Sequence, residues 1–196
     1  MPVHLTEVRQ RFGDWIDRCR MTGAAHGCFR APGEDEPDFY SSLDIALIRT
    51  VWGDDLVESL PGEQRQEWID WINDQQDPTD GSYPTFTHHS KLHAHGMVVG
   101  ALGALGGRMR HLVKLVEDFD TIDKAIRFLE TDVDWAYQWT ASHLIWGGLF
   151  CFSVHQRCSD DWREAVFDWL DGQIDPETGW WRRGVGHGER HQPLRG

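Results

Sequence analysis

Residues 67–106 read EWIDWINDQQDPTDGSYPTFTHHSKLHAHGMVVGALGALG. Trp68, Ile69, Trp71 and Ile72 give the first part the apolar stripe of a helix, running to Asp74. The run Gln75-Gln76-Asp77-Pro78-Thr79-Asp80-Gly81 that follows is turn chemistry. Proline presets φ there, aspartate bonds nearby backbone and glycine takes the left-handed position. A polar loop holding His88 and His89 leads into a smooth segment, Lys91 to Leu105, that carries His93 and His95. That segment is apolar all round, as a buried helix is. Its Ala94, Gly96, Gly100, Ala101, Gly103 and Ala104 let neighbours approach closely. The stretch is one helical hairpin: outer helix, Gly-containing turn, inner helix.

The hairpin recurs. Residues 70–81, DWINDQQDPTDG, align without a gap to residues 168–179, DWLDGQIDPETG. A worn copy, Asp14-Trp15-Ile16-Asp17, precedes a loop ending Gly27-Cys28-Phe29, and the spacing leaves room for another unit near Ala125 to Trp135. Self-similarity at this scale marks a stacked helical array. Further helices are predicted over 5–20, 40–52, 61–74, 108–119, 121–131 with Thr121 as N-cap, and 160–170. A long apolar helix over 135–154 is thinned at Gly147-Gly148. With no alternating strand pattern the class is all-α: one domain over 1–196, an α/α toroid-like array of about four hairpins, with an irregular tail over 182–196.

Composition narrows the partners. Hydrophobic residues make up 40% and charged residues 26%, globular proportions. The formal net charge of −13 argues against nucleic acid and anionic membrane surfaces. No apolar run is long enough for a transmembrane helix, and MPVHLTEVRQRFGDW is amphipathic rather than a leader. Cys19, Cys28, Cys151 and Cys158 form no CxxC pair, which reads as buried free thiols and a cytoplasmic location. The 11 tryptophans supply core or the walls of a cavity for apolar or sugar-like ligands.

Two phrases resemble the α/α-toroid superfamily of terpenoid cyclases and protein prenyltransferase β-subunits. CFRAPGEDEPDFYSSLDIALIRTVWG, from Cys28 to Gly53, is similar to the family's Gly-Phe-Arg loop, Asp-x-Tyr helix start and Leu-rich inner helix. WIDWINDQQDPTDGSYPTF, from Trp68 to Phe86, is similar to its Gln–Trp repeat. The resemblance, over roughly residues 12–181, implies a central aromatic-lined cavity for an isoprenoid or polycyclic substrate. Sugar-processing α/α barrels suggest a saccharide by analogy. The family's catalytic signatures are not matched. Asp132-Val133-Asp134-Trp135 lacks the final carboxylate of the cyclase motif, and the zinc-holding Asp-x-Cys of the prenyltransferases does not occur. Fewer hairpins than a closed ring needs, and no inner helix after Gly179-Trp180-Trp181, imply association with a second copy or a partner subunit, or a longer parent chain.

The candidate catalytic residues are His95, His143 and Asp44. Imidazoles serve as acid, base or ligand to Zn, Ni, Cu or Fe near neutral pH. Ala141-Ser142-His143 echoes His93-Ala94-His95 on the next inner helix, and aligning helix starts puts Ser42, His95 and His143 at one depth. On a helix His93 and His95 diverge, whereas His89 and His93 share a face if both are helical. Asp44, in the apolar run SSLDIALI, reads as a cavity-facing acid or as a partner of Arg49 or of a histidine on the neighbouring helix. His93, His89, Tyr40, Trp139, Trp146 and Trp135 are the candidate ligand contacts. A metal is left open, and a non-catalytic assembly module is the competing class.

Overall fold

A computed structural model describes residues 5–85, 89–154 and 158–181, all but Gln138 with their side chains. The described residues are mostly helical and form no strand, only isolated bridges such as Arg20 to Phe29 and Ile174 to Trp181. The all-α reading holds. His88 and the tail from 182 lie outside the described residues.

The nine α-helices among the described residues are α1 Leu5–Cys19, α2 Phe39–Val51, α3 Leu56–Ser59, α4 Gly62–Asp74, α5 Lys91–Ala104, α6 Ile122–Arg127, α7 Gln138–Ile145, α8 Cys151–Val154 and α9 Asp160–Gly172. A 3-10 turn spans Lys114–Phe119, and π-helical turns span Phe128–Asp132 and Trp146–Phe150. Capping explains most helix starts. Asp38, Asp55, Thr121 and Ser159 each accept a backbone N–H of the first turn, leaving fewer orphan donors. Asp38, last of the acidic run 33–38, thus caps α2, with Ser41 N at 2.6 Å. The helix expected over 108–119 shrinks to the 3-10 turn, and the one over 135–154 starts only at Gln138. The expected thinning at Gly147-Gly148 coincides with a π-helical turn. The four-residue helix α3 has no counterpart in the sequence reading.

The chain forms two compact units, residues 1–84 with 97–112 and residues 85–96 with 113–196, so α5 contributes to both. In the first unit Phe29, Leu43, Ile45, Leu56, Trp68, Ile72, Leu102 and Leu105 are almost fully buried. Removing that apolar surface from water is the main stabilising contribution, roughly 1.5–3 kcal/mol per large side chain. Polar ties fix the loops to this core. Gln76 donates to the Gly81 and His111 carbonyls, both at 2.9 Å, and accepts from His111 N. Asn73 donates to the Arg108 carbonyl at 3.0 Å and accepts from the Tyr83 hydroxyl. In the second unit Phe119, Leu129, Cys151, Phe152, Trp162 and Val166 are buried, and Trp162 Nε1 donates to the Phe119 carbonyl at 2.8 Å.

Each unit contains one copy of the repeated turn, and the copies have the same bonds. Gly81 N donates to Asp77 O at 2.8 Å and Gly179 N to Asp175 O at 2.7 Å. Asp77 N donates to Ser82 O, Asp175 N to Trp180 O. Both aspartate side chains accept from the residue two ahead, Thr79 N and Glu177 N. The glycines sit at φ 73° and 70°. The gapless alignment is therefore a structural repeat. All four cysteines are free and buried, as their spacing predicts. No helix of the described residues is long and apolar enough to cross a membrane.

Candidate metal centre

Among the described residues, a group of three histidines belongs to the second unit and begins with a cap. Ser90 Oγ accepts His93 N at 3.2 Å, and Ser90 O accepts Ala94 N, so Ser90 starts α5. His93 is then the third residue of the helix, while His89 stands just before the cap. The two rings stack, with centroids 4.2 Å apart and planes 17° from parallel. His143, in the last turn of α7, brings its ring centroid to 4.3 Å from His93 and 6.4 Å from His89. One ligand-capable nitrogen from each of the three lies within 4.8 Å of the others.

Burial is graded: His93 buried, His143 half-buried, His89 exposed, so the group opens to solvent on the His89 side. Two tryptophans wall it. Trp139, 64% exposed, sets its ring edge-on to His143 at 4.7 Å, and Trp146 is edge-on to His93 at 6.0 Å. Burial, then the neighbouring His143 and His89, pushes the His93 pKa down to about 4. Burial and then His89 lower that of His143. Both rings are therefore uncharged at neutral pH, with a lone pair to offer.

His95 stands outside this group. It is buried and bonded through Nδ1 to the Gly147 carbonyl at 2.8 Å. The emphasis on His95 shifts to His93, because α5 begins at Lys91 and residues two apart on a helix point apart. Asp44 corrects the sequence reading more directly. It is exposed on α2 of the first unit, since Leu43, Ile45 and Ala46 occupy the buried face. Arg49 pairs with Asp54 instead, Nε to Oδ2 at 2.7 Å. Ser42 and Tyr40 also belong to the first unit, both buried, and burial next to Asp44 and Asp38 raises the Tyr40 pKa to about 12. Trp135 meets Trp169 at a tilt, with ring centroids 6.0 Å apart, and donates to the Leu129 carbonyl.

Each unit has a cavity of its own. That of the first, about 350 Å³, is lined by Arg20, His26, Arg49 and Gln64 among others. Its Arg49 is held by Asp54, and its Arg20 Nη1 donates to His26 Nδ1 at 3.0 Å. That of the second, about 210 Å³, is an apolar groove between Leu149, Phe150, Trp162, Phe167 and Trp181. No protein-family model matches the chain, and no curated protein or solved structure matches it.

Proposed function

We propose that the chain is a metal-dependent protein whose centre is the imidazole group His89, His93 and His143. The observation that carries this is the approach of three ligand nitrogens to within 4.8 Å of one another in a group open to solvent. Imidazole donors suit zinc, copper, nickel and ferrous iron alike, and zinc serves as the probe of the site. Zn–N bonds of 2.0–2.1 Å would place tetrahedral donors about 3.4 Å apart, inside the 4.8 Å spread of these nitrogens, so the rings must move to close on an ion. The stacked His89 and His93 rings must open for this, because donors diverge from a common ion. Three protein ligands with a free position are the catalytic rather than the structural pattern. An ion held so supplies a Lewis acid and a water of lowered pKa.

The walls of Trp139 and Trp146 support an apolar or sugar-like small molecule as the ligand beside the ion, in keeping with the isoprenoid or saccharide expected from the toroid-like resemblance. The repeated hairpin turn supports an α/α array. The exposed Phe150, Phe167 and Trp181 support its completion by a second copy or another subunit, and the four buried thiols suit a cytoplasmic setting.

Equilibrium dialysis and calorimetry with zinc on the purified chain test the reading. The expected result is one ion per chain, with affinity reduced by about a hundredfold in His93→Ala or His143→Ala. Wild-type protein that takes up no zinc, or variants that bind it equally, would overturn it. A second reading is favoured by the near-parallel His89–His93 stack. In it the imidazoles stay unmetallated and transfer protons to the bound ligand. No zinc uptake together with loss of ligand binding in His143→Ala selects that reading.

A further inference from the structure

One contact beside the histidine cluster belongs neither to its ligands nor to its walls. His95 follows His93 by two residues on α5 and is only 2% exposed. A carbonyl can only accept, so His95 carries its proton on Nδ1 and donates to the Gly147 carbonyl at 2.8 Å. The bond joins residues 52 apart in sequence, linking α5 to the π-helical turn Trp146–Phe150. Such turns widen a helix locally and often mark functional places.

The same turn meets α5 at two further points with no slack. A Cβ on Gly147 would fall on the Leu92 carbonyl, beside the peptide that enters His93. A Cβ on Gly96 would come to 2.9 Å from the Trp146 ring. These contacts press the segments together, but van der Waals contact has no preferred direction along a seam. The hydrogen bond does, because its strength falls steeply with angle and distance. His143 lies one helical turn before Gly147, and His93 lies on the peptide that Gly147 touches. Whatever fixes Gly147 on α5 therefore fixes the 4.3 Å between those two rings.

We propose that His95 is the positioning residue of the histidine cluster, its Nδ1–H bond to the Gly147 carbonyl setting the register of α5 on the π-helical turn and so the spacing of His93 and His143. The affinity readout below rests on the metal reading; the geometric readout does not.

The test compares His95→Leu, which keeps bulk and removes the donor, with His95→Asn, whose amide nitrogen sits close to the place of imidazole Nδ1. Zinc affinity is measured by calorimetry, and the proximity of the His93 and His143 ring protons by NMR cross-peaks on zinc-free protein. The expected result is a zinc dissociation constant weakened about ten- to a hundredfold in His95→Leu, with no His93–His143 cross-peak. His95→Asn should stay within about threefold of wild type and retain the cross-peak. Wild-type affinity and a wild-type cross-peak in His95→Leu would overturn the proposal, as would equal losses in both variants, which would make His95 a space-filler. Should His95→Leu not fold, His95→Gln, whose longer arm misplaces the donor, takes its place. Wild-type protein that holds no zinc sinks the metal reading alone, and the NMR cross-peak then decides the role of His95.

Discussion

The Trp68 ring occupies the space that a Cβ on Gly27 would need, and Ser42 ties the two together. Trp68 Nε1 donates to Ser42 Oγ at 2.8 Å, and Ser42 donates to the Gly27 carbonyl at 2.5 Å. Gly27 also sits at φ 91°, where an L side chain is strained. Gly27→Ala is expected to cost about 2–5 kcal/mol, backbone strain and overpacking together. Gly23, at φ 79° with open space around its Cβ position, is the control, at about 1 kcal/mol for Gly23→Ala. Urea denaturation midpoints measure the difference, and equal costs would remove Trp68 from the explanation.

Gln76 is 6% exposed, and its amide satisfies two carbonyls and one N–H. Gln76→Leu keeps the volume and strands all three, so a loss of about 2–4 kcal/mol is expected. Hydrogen exchange at the His111 amide should rise with it. A variant as stable as wild type would mean that water replaces the side chain.

Acid should weaken the second unit through its histidines. The His93 pKa falls from 6.5 in the unfolded chain to about 4 when folded. Between those values the unfolded state binds more protons, so stability rises with pH there and is lost as pH falls from 6.5 towards 4. The His93 contribution is fully present above 6.5. His143, also lowered, acts in the same direction, and His26 does so in the first unit. Urea midpoints across this range should fall on acidification, and His93→Gln should flatten the slope without abolishing it. An unchanged slope would remove His93 as a source.

Zinc binding to the folded chain alone should raise the melting temperature, with about 2.7 kcal/mol of stabilisation at a concentration a hundred times the dissociation constant. Chelator should reverse it, and His143→Ala should cut it to about 0.4 kcal/mol at the same zinc concentration. His89→Ala should lose less than His93→Ala, because an exposed ring gives up rotamer freedom on binding that buried His93 has already lost. Equal losses from the two would show that His89 is already ordered.

The helices are legible in the sequence wherever one apolar stripe meets one buried face. The starts and ends of α1, α2, α4, α5 and α9 lie within two residues of the periodicity, and Thr121 caps α6 as its residue type suggests. Segment 108–119 differs, because its apolar spacing fits a 3-10 turn as well as an α-helix. At the candidate site, spacing pairs His89 with His93 only if both are helical, whereas His89 stands before the Ser90 cap and stacks on His93 from there; which ring faces His143 depends on where α5 begins. Ser90 decides that, and a Ser ahead of Lys91 is the signal the sequence offers. Asp44 misleads because a run such as SSLDIALI counts neighbours along the chain, whereas burial follows the helix face.

The repeated turn has one more consequence. Its closing bonds are made by backbone groups, and in both copies the side chains of the first and fourth residues, Asp77 and Asp80 in one and Asp175 and Thr178 in the other, accept the backbone N–H two residues ahead. Its specification therefore resides in Asp77, Asp80 and Gly81, or Asp175, Thr178 and Gly179, with proline second in both copies, while the third position, Thr79 or Glu177, differs. The two loops are interchangeable parts: exchanging 77–81 with 175–179 should leave both hairpins closed, because each carries the same set of turn-closing bonds.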